Sequence, residues 1–157
     1  MKRWIFIFFL VTLASCKGKV EDTYFTPEKA EMSFRNIEEI CNRDSGNLWG
    51  RNLYGPLMFV DRNSRKIFSN QQDKDGLLKP KNGIFTGLYP KERIINTTAV
   101  TFGGTHFGMA PLPNEEDNYR ITTRGIHSLF HRYQQTIGIN PEYFNAINMD
   151  EKEARIW

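Results

Sequence analysis

Apolar residues return every three or four positions over residues 27–42, as Ala30, Phe34, Ile37 and Cys41. That period places them on one stripe of a helix. Thr26-Pro27 supplies the start: a hydroxyl N-cap, then proline at the first helical position, where its missing N–H costs nothing. Cys41 on this stripe reads as a small buried hydrophobe. After residue 43 the period changes. Leu57-Met58-Phe59-Val60 and Lys66-Ile67-Phe68-Ser69 are short apolar runs around Asp61-Arg62-Asn63-Ser64, which predicts a hairpin. Residues 43–47 and 70–83 are polar and carry glycines, so both read as loops. Thr98, Val100 and Phe102 alternate with Ala99 and Thr101, and Gly103-Gly104 turns the chain into His106-Phe107-Gly108-Met109-Ala110. A second hairpin is expected there, closed by Pro111-Leu112-Pro113.

Residues 117–138 carry the second long helical pattern. Ile126, Phe130, Tyr133 and Ile137 form its expected buried face, and Gly138 ends it. A third helix is expected from Met149 to Trp157. The order helix, two hairpins, helix, start of a helix predicts an α+β fold with a small antiparallel sheet. Residues 27–157 are long enough for one core and are read as a single domain.

The N-terminus changes the setting. Met1-Lys2-Arg3 is a basic n-region, and Trp4 to Leu13 is an apolar h-region broken only by Thr12. A spanning helix needs about 20 apolar residues, so residues 1–15 read as a signal peptide instead. Leu13-Ala14-Ser15-Cys16 resembles a bacterial lipobox. The resemblance implies cleavage before Cys16, lipidation of its thiol and a tether over residues 16–26. It places the protein in the bacterial envelope, on the outer membrane in preference to the inner. Residues 1–15 hold two of the 21 Lys+Arg and none of the 18 Asp+Glu, so 19 face 18 afterwards, a net of +1. Nothing in that balance resembles the basic stripe that nucleic-acid binding needs. With Cys16 lipidated, Cys41 has no second cysteine to pair with, which excludes a disulfide framework.

Candidate chemistry lies in the second helix, where His127 and His131 are four apart. Residues i and i+4 stack on one helical face, about 6 Å apart, so two imidazoles can converge on one ion. Three histidines in 157 positions place some pair four apart in roughly 4 of 100 sequences by chance, so spacing alone decides nothing. On that spacing a solvated or hydrogen-bonded pair is the simpler reading.

The wording Phe130-His131-Arg132-Tyr133-Gln134 resembles bacterial envelope proteins with an H-E-x-F-H-R-x-Q signature, which are related to the gluzincin zinc metallopeptidases. Leu48-Trp49-Gly50 and Leu53 to Asp61 resemble that family's entry hairpin. Gly108 to Pro113 resembles the strand leading into the motif helix, and Asn148 to Trp157 resembles the entry to the helix with the third ligand. The resemblance implies a zincin-like motif helix and a Zn²⁺ site held by His127, His131 and Glu153, with Glu151 as the alternative third ligand. Two departures set limits. Ser128 stands where the motif glutamate belongs, and losing a general base costs on the order of 10² to 10⁴ in rate. The family continues beyond the point matching Trp157, so a missing C-terminal helical part is expected. Together these imply a weak zinc site, no catalytic residue, and either an inactive peptidase relative or a non-catalytic binding module for an unidentified peptide or protein. An active peptidase with Glu151 as its base is the third alternative.

Other signals are weaker. His106, after the Gly103-Gly104 turn, reads as a surface or packing residue. Glu115-Glu116-Asp117 suits a helix N-terminus through the macrodipole alone, and Asp150, Glu151 and Glu153 suit the start of the last helix equally. Asp73-Lys74-Asp75-Gly76 opens like a calcium loop but lacks the later ligands.

Overall fold

A computed structural model describes residues 24–139. The signal peptide, Cys16, most of the tether, the helix expected from Met149, and Glu151 and Glu153 lie outside the described residues.

Helix α1 spans Pro27–Asp44. Its start follows from the capping chemistry: Thr26 Oγ1 accepts from Lys29 N–H at 3.3 Å, and Pro27 occupies the first turn. Its end follows from Ser45, which takes a left-handed conformation at φ 50° and returns its N–H to Cys41 O. Ala30, Phe34, Ile37 and Cys41 are all buried, as the stripe predicts. Helix α2 spans Asn118–Thr136, capped by Asp117, whose side chain accepts from Arg120 N–H. Gly138 follows at φ +80° and terminates it.

Between the helices lie six strands: β1 Leu57–Val60, β2 Lys66–Ser69, β3 Lys79–Lys81, β4 Ile84–Leu88, β5 Thr98–Phe102 and β6 Thr105–Pro111. They form one sheet in the order β3-β4-β2-β1-β6-β5. The two expected hairpins are present as β1–β2 and β5–β6. The sheet is larger than the two-hairpin reading, and it is mixed, because β1 pairs with β6 in parallel. The parallel pairing sits at the centre, so both β1 faces are covered and all four of its residues are buried. The segment read as a loop over residues 70–83 holds β3. Lys79-Pro80-Lys81 is an exposed edge strand whose proline and lysines discourage further pairing.

Side-chain alternation splits the interior in two. Leu57, Phe59, Phe68 and Ala110 join Phe25, Phe34, Ile37, Ile121 and Leu129 beneath both helices. Met58, Val60, Ile67, Phe107 and Met109 face the other way and pack with Leu78, Tyr89 and Ile95 from the connecting loops. Each buried side chain of this size contributes roughly 1.5–3 kcal/mol. Asp73 secures the loop side. Its carboxylate is 4 % exposed and accepts from Leu77 N–H at 2.8 Å and Leu78 N–H at 2.6 Å.

Candidate functional site

Two glycines and a serine set the height of α2 above the sheet. A Cβ on Gly108 of β6 would stand 2.9 Å from the backbone C and O of Ser128. One on Gly125 would stand 2.5 Å from Ile37 Cδ1. Backbone therefore meets backbone along β6, and α2 sinks between the sheet and α1. The face it buries is Ile121, Gly125, Ser128 and Leu129. This corrects the expected face: Ile126, Phe130 and Tyr133 are only partly buried at its flank, and Ile137 is exposed. Close approach at Gly125 and Ser128, together with burial of Ile121 and Leu129, determines which side of this helix goes in.

That rotation carries the histidines outward. His127 is exposed and His131 half-buried, and their Nε2 atoms lie 2.8 Å apart. The rings are tilted by 54° with centroids 4.6 Å apart. Gln134 Oε1 lies 2.8 Å from His131 Nδ1. An amide oxygen only accepts, so His131 carries its proton on Nδ1 and presents a bare Nε2 lone pair when neutral. His127 then donates Nε2–H across the pair. Partial desolvation of its ring holds the His127 pKa below the ordinary histidine value, and the neighbouring His131 pushes the same way.

Two nitrogens at about 2.05 Å from a tetrahedral zinc ion stand about 3.4 Å apart, so an opening of some tenths of an ångström admits an ion. His127 must also move its proton to Nδ1, while His131 is already in the ligating tautomer, oriented by Gln134 as outer-shell groups orient metal-bound imidazoles. Two donors are the described contribution. Among the described residues, no group of three His, Cys, Asp or Glu side chains is placed to hold a metal ion.

Ser128 is far from this chemistry. It is fully buried, and its hydroxyl donates to Gly125 O at 2.9 Å inside the helix. It points towards β6 and is available neither as a base nor as a nucleophile. His106 shares the α2-facing side of β6 with Gly108, two residues along. Its ring Nδ1 lies 3.4 Å from Thr101 Oγ1, its carbonyl accepts from Arg132 Nε, and Nε2 is buried without a hydrogen-bond partner among the described residues. Burial and then the nearby Arg132 charge lower its pKa. Its hydrogen bonds among the described residues run to Thr101 of β5 and to Arg132, and the Arg132 bond ties the helix to the sheet.

Three features escaped sequence reasoning. Gln134 is one, although its i+3 spacing from His131 is a readable signal. The second is the aromatic flank: Trp49 lies 4.3 Å from Phe130, and Tyr133 Oη–H donates to Trp49 O. The third is the meeting of Arg51 and Arg132 beside Tyr133, which no local spacing foretells. Comparison with protein-family models, curated proteins and solved structures found no match.

Proposed function

We propose that this chain is a lipoprotein of the bacterial envelope, anchored through Cys16, whose domain is related to gluzincin zinc peptidases and does not hydrolyse peptides. Its metal reading is a weak Zn²⁺ site held by His127 and His131, with Glu153 or Glu151 as the third ligand. The carrying observation is the divergence of residues 127, 128 and 131: the two imidazole Nε2 atoms converge at 2.8 Å, while Ser128 is buried against β6. When bound, zinc in such sites polarises a water or a carbonyl. The residues of this chain supply donors and orientation: His127 and His131 bind, and Gln134 holds His131 in one tautomer. The side chain at position 128 is a buried hydroxyl and takes no proton. With two described donors and a third to be ordered on binding, micromolar or weaker affinity is expected.

The alternative is a binding module that reuses the same architecture without metal. The 2.8 Å contact favours it to this extent, that the two imidazoles satisfy each other as an N–H···N hydrogen bond. Zinc titration calorimetry of the full-length protein in detergent separates the two, and a peptide-hydrolysis assay with added zinc tests the inactivity. One-site binding that His127→Ala and His131→Ala each abolish supports the metal reading. Absence of binding leaves the module, and cleavage of peptide by the wild type overturns the inactivity.

A further inference from the structure

Around the side of α2 from the histidines, a cleft of about 200 Å³ is lined by Arg51, Asn52, Tyr54, Arg132, Tyr133 and Thr136. Its charge is unbalanced. Arg132 is half-buried, and Gly55 exists where a Cβ would come within 2.6 Å of its guanidinium. Its Nε donates to His106 O at 3.2 Å, leaving the two terminal nitrogens for the cleft. Arg51 lies over the Tyr133 ring, 5.8 Å from the centroid, and the ring is fixed by the Tyr133 bond to Trp49 O. The three ion pairs among the described residues involve Lys29, Arg35 and Arg120, so neither Arg51 nor Arg132 has a carboxylate partner there. The charged residue that shares the cleft with Arg132 is a second cation, Arg51. Glu38 acts on Tyr54 but does not line the cleft.

Two guanidiniums lining one cleft, one of them half removed from water, repel each other in a medium that screens poorly. An anion between them reverses the sign of the interaction. Arginine's planar fork matches two oxygens of a carboxylate or a phosphate at once. Tyr54 Oη accepts from Asn70 Nδ2, so its own proton remains to donate. We propose that the cleft between Arg51 and Arg132 is a binding site for an oxoanion, a carboxylate or phosphate group held by both guanidiniums. The site is independent of any metal at His127 and His131, because Arg132 follows His131 by about 100° around the helix.

The test is a titration of the full-length protein in detergent with sodium phosphate and, separately, sodium acetate, at constant ionic strength. The readout is the side-chain Nε–H resonances of Arg51 and Arg132. Saturable shifts in both are expected, with tighter binding of phosphate indicating a phosphorylated ligand and tighter binding of acetate a carboxylate. Arg51→Gln should weaken the binding by about tenfold or more, as expected for loss of a charge-assisted bond, while Arg35→Gln leaves it unchanged. Arg132→Gln also removes the bond to His106, so the exposed Arg51 carries the test. Shifts that fail to saturate with either anion, or an Arg51→Gln variant that binds as the wild type does, overturn the proposal.

Discussion

Ser128→Glu, which places the glutamate of the H-E-x-F-H-R-x-Q signature at position 128, is the most informative single change. In an intact peptidase that carboxylate would serve the metal. Here residue 128 is fully buried and the β6 backbone at Gly108 stands directly against it. Keeping a buried carboxyl neutral at pH 7.5, about three units above its ordinary pKa, costs about 4 kcal/mol. Leaving it charged costs several kcal/mol as well. Overpacking against the strand adds about 1–3 kcal/mol. A total near 5 kcal/mol or more consumes most of the roughly 5–15 kcal/mol by which domains are stable. At about 3 °C per kcal/mol for a chain of this size, thermal unfolding should fall by about 15 °C or the variant should fail to fold. The electrostatic part of the penalty depends on pH. Burial raises the folded-state pKa of the introduced carboxyl, so the penalty is small below about pH 4.3, the unfolded value, and grows as pH rises. The assay is thermal circular dichroism of wild type, Ser128→Ala and Ser128→Glu at acid and neutral pH, with peptide hydrolysis alongside. Ser128→Ala should lose about 1 kcal/mol or less, since only its bond to Gly125 O disappears. A Ser128→Glu protein as stable as wild type at neutral pH, or one that cleaves peptides, would refute this placement of residue 128.

Four further outcomes are expected. Asp73→Asn should destabilise by about 1–3 kcal/mol at neutral pH, because Leu77 and Leu78 N–H donate to different carboxylate oxygens and the amide replaces one of those acceptors with an NH2 donor. Burial raises the Asp73 pKa, but those backbone donors outweigh it and hold it below the usual carboxylate value, so its contribution is present above about pH 3.9 and is lost as pH falls further. Urea midpoints of the two proteins should therefore converge in acid. Gly125→Ala should cost about 1–3 kcal/mol through its clash with Ile37 Cδ1, and Ile37→Val, which removes that atom, should restore part of it in the double variant. Zinc affinity measured by calorimetry should fall once pH drops below the ordinary histidine value of about 6.5, and the lowered pKa of His127 moves the proton competition at that ligand to more acid pH. Cys16→Ser should move the protein from the membrane fraction to the soluble one.

The legible parts of the fold are those set by local period and local punctuation. Ala30, Phe34, Ile37 and Cys41 announce α1 and its buried face, and the turns after Val60 and Phe102 announce both hairpins. The β1–β6 parallel pairing has no local signal, since it joins residues about fifty positions apart. β3 was hidden by Pro80, which reads as a break yet sits harmlessly on an edge. The α2 face is hard to read because Gly125 and Ser128 count as weakly hydrophobic, whereas the absent side chain at Gly125 admits Ile37 of α1 and Gly108 of β6 admits the backbone at Ser128. At the candidate site, His127 and His131 were legible from their spacing. Their contact and the inward turn of Ser128 depend on that rotation and became visible only with the fold.

The proposed zinc site stands on the Nε2 atoms of His127 and His131 as metal donors. Imidazole ¹⁵N spectra of the full-length protein, recorded with and without one equivalent of zinc, test it most directly. Both Nε2 resonances should move to the metal-bound position, His131 should keep its Nδ1 proton against Gln134, and His106 should be unchanged. Spectra in which neither Nε2 responds to zinc, or in which His106 responds in their place, would contradict it.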